Sequence, residues 1–124
     1  MNKNKALILS TILCSLYIVF TEGGSPNMFT IWNLSPIFLC YFILKNSFKE
    51  KNKSSRWNSI CFTLTTVGSI IYVHTAWWQN WQEIKTGSST SAIIFIFLPI
   101  YSIILGSIIF FFSWFIGLII KNKT

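Results

Sequence analysis

The chain has 124 residues, of which 52% are hydrophobic, 18% aromatic and only 10% charged. Soluble domains carry about 25% charged residues, so this composition excludes an ordinary water-soluble fold and predicts that most side chains face lipid. A membrane span needs about 20 apolar residues, and four such segments with their connections would use the whole length. We therefore expect no separate soluble domain.

Basic residues dominate the charge, with ten Lys and Arg, three acidic residues and a net charge of +7. Such a charge can indicate nucleic-acid binding, but that function needs a basic face on a soluble fold. Here nine of the ten basic residues lie at alternate boundaries between apolar segments, which is the positive-inside pattern of membrane proteins. We therefore expect no nucleic-acid partner, and both termini in the cytoplasm. These nine are Lys3, Lys5, Lys45, Lys49, Lys51, Lys53, Arg56, Lys121 and Lys123.

The first apolar segment, about residues 6–21, follows the charged start MNKNK. A signal peptide has a similar layout, but no small-x-small cleavage site follows Phe20, and three more apolar segments come after it. We therefore predict a first transmembrane helix. The next residues, EGGSPN, contain two glycines and a proline, which predict a short outer loop carrying Glu22.

The second segment, about residues 28–48, contains Pro36, which cannot donate the helical hydrogen bond to the carbonyl of Trp32 and should kink the helix. Asn33 or Ser35 is available to satisfy that carbonyl. The following run KNSFKEKNKSSR, residues 45–56, is strongly basic and predicts a cytoplasmic loop. Attraction to anionic lipid headgroups is an alternative reason for its charge.

The third segment, about residues 57–78, begins and ends at tryptophans, as expected where a helix crosses the two membrane interfaces. At about 100° per residue, mostly small side chains share one face of this helix. Such a face usually packs on another helix. The face consists of Cys61, Thr65, Gly68, Tyr72, Thr75 and Ala76.

The fourth segment, about residues 91–120, lies in an interval without charge between Lys85 and Lys121. Its length from Ala92 to Ile120 is about 43 Å as a straight helix, against a membrane core of about 30 Å. Either a long helix kinks at Pro99, which we favour, or the span begins at Pro99. One face is predicted to pack on the small face of the third span, its neighbour across a short loop. The packing residues are Ser102, Gly106, Ser113 and Gly117.

His74 is the only histidine, about one turn inside the predicted outer end of the third span. A lone histidine is a poor metal ligand, and Glu22 and Glu83 in the two outer loops are weak partners, so we expect no metal and no cofactor. We favour a side chain that reaches the membrane interface, with a titrating group in an outward-facing cavity as the alternative. On a helical wheel His74 falls opposite the small face, which favours lipid headgroups or a different helix.

Aromatic and hydroxyl side chains gather near His74 at the predicted outer end. The tryptophans are either interfacial anchors or part of a binding surface. The GSSTS run precedes the last helix, where such groups cap a helix or bind an anion, although a polar turn is the favoured interpretation. The candidate binding site consists of His74, Trp77, Trp78, Trp81, Gly87, Ser88, Ser89, Thr90 and Ser91.

The sequence predicts an all-α integral membrane protein with four transmembrane helices in an antiparallel bundle, in a bacterial inner membrane. No charged residue lies deep in a predicted span, which disfavours a proton-coupled exporter, and no catalytic motif indicates an enzyme. We expect an interaction protein with a membrane protein or toxin as partner. In size and basic composition the chain resembles immunity proteins against membrane-active toxins. The alternative is a homo-oligomeric channel, holin or carrier for a small neutral or anionic solute.

Overall fold

The computed structural model describes residues 2–25, 27–81 and 93–123. Within these ranges the chain forms four α-helices and no strand: α1 (Lys3–Thr21), α2 (Met28–Ser47), α3 (Lys53–Trp78) and α4 (Ile94–Lys123). All four helices are long and apolar enough to cross a membrane. The fold is therefore that of an all-helical, multi-pass membrane protein.

Asparagine side chains begin the first three helices. Asn2, Asn27 and Asn52 each accept a hydrogen bond from a backbone N–H in the first turn of the helix that follows. Asparagine is among the preferred residues at this position because its side-chain oxygen satisfies a donor that the helix itself cannot. These caps let α1 and α3 begin in their basic segments, at Lys3 and Lys53, earlier than the hydrophobic boundaries at 6 and 57 predict.

Two prolines lie inside helices, Pro36 in α2 and Pro99 in α4. Ser35 Oγ donates to the carbonyl of Trp32 at 2.7 Å, which confirms that a nearby polar side chain satisfies the acceptor freed by Pro36. At Pro99 the helix continues without interruption from Ile94. The last span therefore includes residues before this proline instead of beginning at it.

The apolar core draws on all four helices. It contains Ile18 of α1, Ile37 of α2, Ile70 of α3, and Phe95 and Leu98 of α4. Most other large side chains of α4 are exposed, as expected for a helix that faces lipid over most of its circumference. Helix α4 therefore contacts the rest of the protein through a narrow face.

Gly106 lies at the centre of this narrow face. A Cβ atom at Gly106 would overlap Thr66 Oγ1 and lie 3.1 Å from the ring of Phe62, both on α3. The absence of a side chain therefore allows α4 to approach α3 closely.

The other predicted packing residues of α4 follow the same line. Ser113 Oγ donates to Asn58 Oδ1 of α3 at 2.6 Å, and a Cβ atom at Gly117 would lie 3.3 Å from Ser54 Oγ. Ser102 is buried and donates to the carbonyl of Pro99 in its own helix. This face of α4 thus combines close packing with one hydrogen bond between helices.

The closest contact of α3 with α4 is not made by Gly68, the glycine of the predicted small face. A Cβ atom at Gly68 would have nothing within 4 Å, and Gly68 lines a cavity of about 380 Å³ together with side chains of α1 and α2. Thr75 of the same face forms a hydrogen bond with Tyr17 of α1. A helical wheel identifies a face but not its partner, and here the larger Phe62 and Thr66 fill the space left by the glycine of α4.

Candidate functional site

The turn after α1 brings Glu22 back against the helices. Gly23 and Gly24 have φ values of +106° and +82°, in a region that glycine adopts without steric cost. Their N–H groups donate to the carbonyls of Phe20 and Val19, which closes a tight turn at the end of α1. As a result, the side chain of Glu22 is only 11% exposed instead of lying in an open loop.

The carboxylate of Glu22 accepts hydrogen bonds from three side chains. Oε1 accepts from Asn33 Nδ2 at 2.8 Å and lies 3.1 Å from His74 Nε2, while Oε2 accepts from Thr30 Oγ1. Thr30 and Asn33 are one turn apart on the same face of α2, and His74 belongs to α3. Glu22 therefore links the end of α1 to both α2 and α3, at what we call the Glu22 end of the molecule.

The start of α2 explains why Thr30 is in place. Asn27 and Thr30 form a capping box, in which each side chain bonds to the backbone of the other. The hydroxyl of Thr30 accepts from the Asn27 N–H and donates its own proton to Glu22. The same residues thus begin the helix and hold the carboxylate.

His74 lies in the interior, with 1% of its surface exposed. Its Nδ1 is 2.9 Å from the carbonyl of Ile70, and its ring packs on Phe95 with a centroid distance of 4.9 Å. The interpretation that His74 reaches the lipid headgroups is therefore wrong. A helical wheel of α3 alone could not show that the turn between α1 and α2 places Glu22 beside His74. Both ring nitrogens lie beside oxygen acceptors, so both hydrogen bonds form when both nitrogens carry a proton.

The environment of Glu22 favours its charged form. Burial by itself would raise the pKa of this carboxyl group. The hydrogen bonds from His74, Thr30 and Asn33, with the electrostatic attraction of His74, outweigh burial and hold the pKa of Glu22 below its ordinary value of 4.5. The site therefore contains a carboxylate at neutral pH.

A cavity of about 200 Å³ lies beside this carboxylate. Asn33 is 1% exposed, and its Oδ1 has no hydrogen-bond partner in the part of the chain that the structure describes. The rings of Trp77 and Phe95 meet edge to face at a centroid distance of 4.9 Å. The residues around the cavity thus include an acid, an asparagine whose oxygen has no partner in the described residues, and aromatic rings. Its lining residues are Glu22, Asn27, Phe29, Asn33, Trp77 and Phe95.

The three tryptophans of the candidate site do not form one surface. Trp77 lines the cavity, whereas Trp78 packs against Phe20 at 5.6 Å and Trp81 packs against Tyr72 at 5.9 Å between ring centroids. Only Trp77 is therefore brought to the same site as the histidine. The remaining predicted site residues lie outside the described ranges: Gly87, Ser88, Ser89, Thr90 and Ser91.

From the sequence alone, Glu22 is only a weak candidate metal ligand, and no pattern gives Thr30, Asn33 or Phe95 a role in a site. One local signal was available, because Asn27 followed by Thr30 is a capping-box spacing. A second polar residue, Asn33, lies one turn later on an otherwise apolar helix. Such a residue indicates a buried hydrogen-bonding partner, since an unpaired polar group is costly in a membrane.

The site is suited to binding a group that donates hydrogen bonds or carries positive charge. In the described ranges, no group of three His, Cys, Asp or Glu side chains could hold a metal ion. The functional groups of the site are therefore the acid–base pair of Glu22 and His74 and an aromatic-lined cavity beside it. No protein-family model, no curated protein and no solved structure matches this chain.

Proposed function

We propose that this chain is a membrane-embedded binding protein, and that one concrete form of this function is immunity against a membrane-active toxin. The observation that carries the proposal is the combination of a closed apolar core with an aromatic-lined cavity beside a carboxylate at one end. Ile18, Ile37 and Ile70 are each at most 2% exposed and fill the space between the helices. A solute that crossed one molecule would have to displace them, whereas a ligand can enter the cavity beside Glu22.

We propose an antiparallel bundle with both termini in the cytoplasm of a bacterial cell. Phe95, near the start of α4, packs on His74, near the end of α3. Gly117, near the end of α4, faces Ser54, near the start of α3. These contacts support opposite directions for α3 and α4. The positive-inside rule favours cytoplasmic basic ends, and the Glu22 end would then face outward.

A carrier for a small neutral solute is the second candidate. The cavity of about 380 Å³ between α1, α2 and α3 favours it, because hydroxyl groups line part of its wall. The hydroxyl-bearing residues are Ser10, Thr11, Tyr41 and Thr63. An oligomeric channel or holin would instead place its passage between copies of the chain.

Solute flux separates binding from transport. The purified protein would be placed in sealed liposomes, and the flux of ions and small neutral solutes would be compared with protein-free liposomes. A pore-forming peptide added at the end of each trace verifies that the liposomes are sealed. We expect no flux above the protein-free control. A saturable flux of a neutral solute would contradict the binding proposal and favour the carrier.

Protection of cells tests the immunity form. Cells that produce this chain would be exposed to a membrane-active toxin encoded beside its gene. Survival with the wild-type chain and loss of survival with Glu22→Gln, at equal protein levels in the membrane, is the expected result. Glu50→Gln is the matched control, because it removes the same charge at an exposed position between α2 and α3. Cells killed equally with and without the chain would reject this form of the function.

A further inference from the structure

We propose that the cavity beside Glu22 binds a primary ammonium group. This inference rests on the proposed binding function and names the chemical class of its ligand. The cavity is lined by Glu22, whose carboxylate carries negative charge, and by Asn33, whose buried Oδ1 atom has no hydrogen-bond partner in the described residues. Both groups are acceptors, so a ligand that complements them donates N–H bonds and carries positive charge.

The aromatic walls favour an organic cation over a metal ion. Phe29, Trp77 and Phe95 line the same cavity as Glu22, and a cation is attracted to the faces of such rings. A calcium ion needs about six to eight oxygen ligands, far more than this cavity supplies. An anion would face the carboxylate, and a quaternary ammonium would leave the Asn33 acceptor unpaired. The primary ammonium therefore fits better than each of these.

The size and position of the cavity suit a small amine headgroup. At about 30 Å³ for each water-sized group, a cavity of about 200 Å³ accommodates a few non-hydrogen atoms. Glu22 follows the last residue of α1, and Asn27 precedes the first residue of α2, so the cavity lies where apolar spans end. Lipid headgroups lie at this depth. The ammonium group can thus come from the phosphatidylethanolamine headgroup or from a free amine.

Nuclear magnetic resonance of the protein in lipid nanodiscs tests the proposal. Ethanolamine and choline would be titrated separately into phosphatidylglycerol nanodiscs, with the side-chain amide of Asn33 and the indole N–H of Trp77 as reporters. In a second arm, phosphatidylethanolamine or phosphatidylcholine replaces part of the lipid. We expect the ethanolamine compounds to shift both signals saturably and the choline compounds to shift neither.

The two arms identify the source of the ammonium group. A response to both free ethanolamine and phosphatidylethanolamine supports recognition of the ammonium group alone, whereas a response only to the lipid supports a headgroup site. Equal responses to ethanolamine and choline would overturn the proposal, and so would no response to either. These binding measurements are independent of the liposome flux experiment. The assignment of the ligand as a primary ammonium group can therefore be contradicted without contradicting the proposed binding function.

Two substitutions and one control assign the binding to the cavity. Glu22→Gln should weaken ethanolamine binding by about ten-fold or more, because the ligand loses a charged acceptor, while Glu50→Gln leaves it unchanged. Phe29→Leu should weaken it by about two- to five-fold through loss of one ring. Phe29 is 56% exposed, so this variant tests the site even if Glu22→Gln fails to fold. Unchanged affinity in Phe29→Leu and in folded Glu22→Gln would refute the assignment.

Discussion

Glu22 joins more polar side chains than any other acid in the described residues, although it lies only one position beyond α1. Its sequence context indicates an outer loop, since two glycines and a proline follow it closely. The positive φ angles of Gly23 and Gly24 instead close a turn that buries the carboxylate. The local turn could be predicted, but the direction in which it carries Glu22 depends on donors distant in sequence.

Acid should destabilise the protein through Glu22. Because the pKa of Glu22 in the folded protein lies below its ordinary value of 4.5, folding favours the charged form. Its contribution to the free energy of unfolding is complete above the ordinary pKa and is lost as the pH falls through the lower pKa of the folded state. We expect the melting temperature in detergent micelles to decrease once the pH is below about 4.5, which is the ordinary pKa of this carboxyl group.

The variants assign this acid sensitivity to one residue. In Glu22→Gln the fall in melting temperature between neutral and acidic pH should be smaller than in Glu50→Gln, which removes an exposed carboxylate elsewhere. An equal fall in the two variants would contradict the assignment to Glu22.

Some features of helix α4 could be predicted from the sequence, and its contact with α3 could not. Its uncharged length and its line of small residues could be predicted, because both follow from composition and helical periodicity. The face of α3 that contacts α4 could not be predicted. It depends on how the side chains of Phe62 and Thr66 fill the space beside Gly106. The continuation of the helix through Pro99 agrees with the favoured interpretation of the sequence, because a proline is tolerated inside a membrane span.

Two glycine substitutions test the contact between α3 and α4. Gly106→Ala should lower the free energy of unfolding by about 1–3 kcal/mol, the usual cost of overpacking, because the added Cβ overlaps Thr66. Gly68→Ala adds the same atom where nothing lies within 4 Å, so we expect no loss, or a gain of up to about 1 kcal/mol from helix propensity. Reversible unfolding in mixed micelles measures both. Equal destabilisation would show that the described contact does not form.

Hydrogen bonds between helices complement the apolar core of the molecule. Tyr17 of α1 bonds to Thr75 of α3, and Trp32 Nε1 of α2 donates to the carbonyl of Ile96 in α4 at 2.8 Å. Hydropathy predicts the number of spans, because each is a long apolar segment. Which helices touch depends on such pairs of side chains, and a single sequence does not reveal them.

The proposed orientation is tested by fusions to reporter proteins. A fluorescent protein that matures only in the cytoplasm should be active when fused after the last residue, and alkaline phosphatase fused there should be inactive. Alkaline phosphatase inserted between Gly24 and Ser25 should be active. The reverse pattern of activities would contradict cytoplasmic termini and would place the cavity beside Glu22 on the inner side.

Glu22 and His74 form a single site that holds the α1–α2 turn on α3. A double-mutant cycle with Glu22→Gln and His74→Gln measures their interaction directly, from the free energies of unfolding at neutral pH. The structure predicts a coupling energy of about 1 kcal/mol or more, as found for residues in direct contact. Effects of the two substitutions that add to within about 0.3 kcal/mol would mean that the residues act independently and would contradict the site.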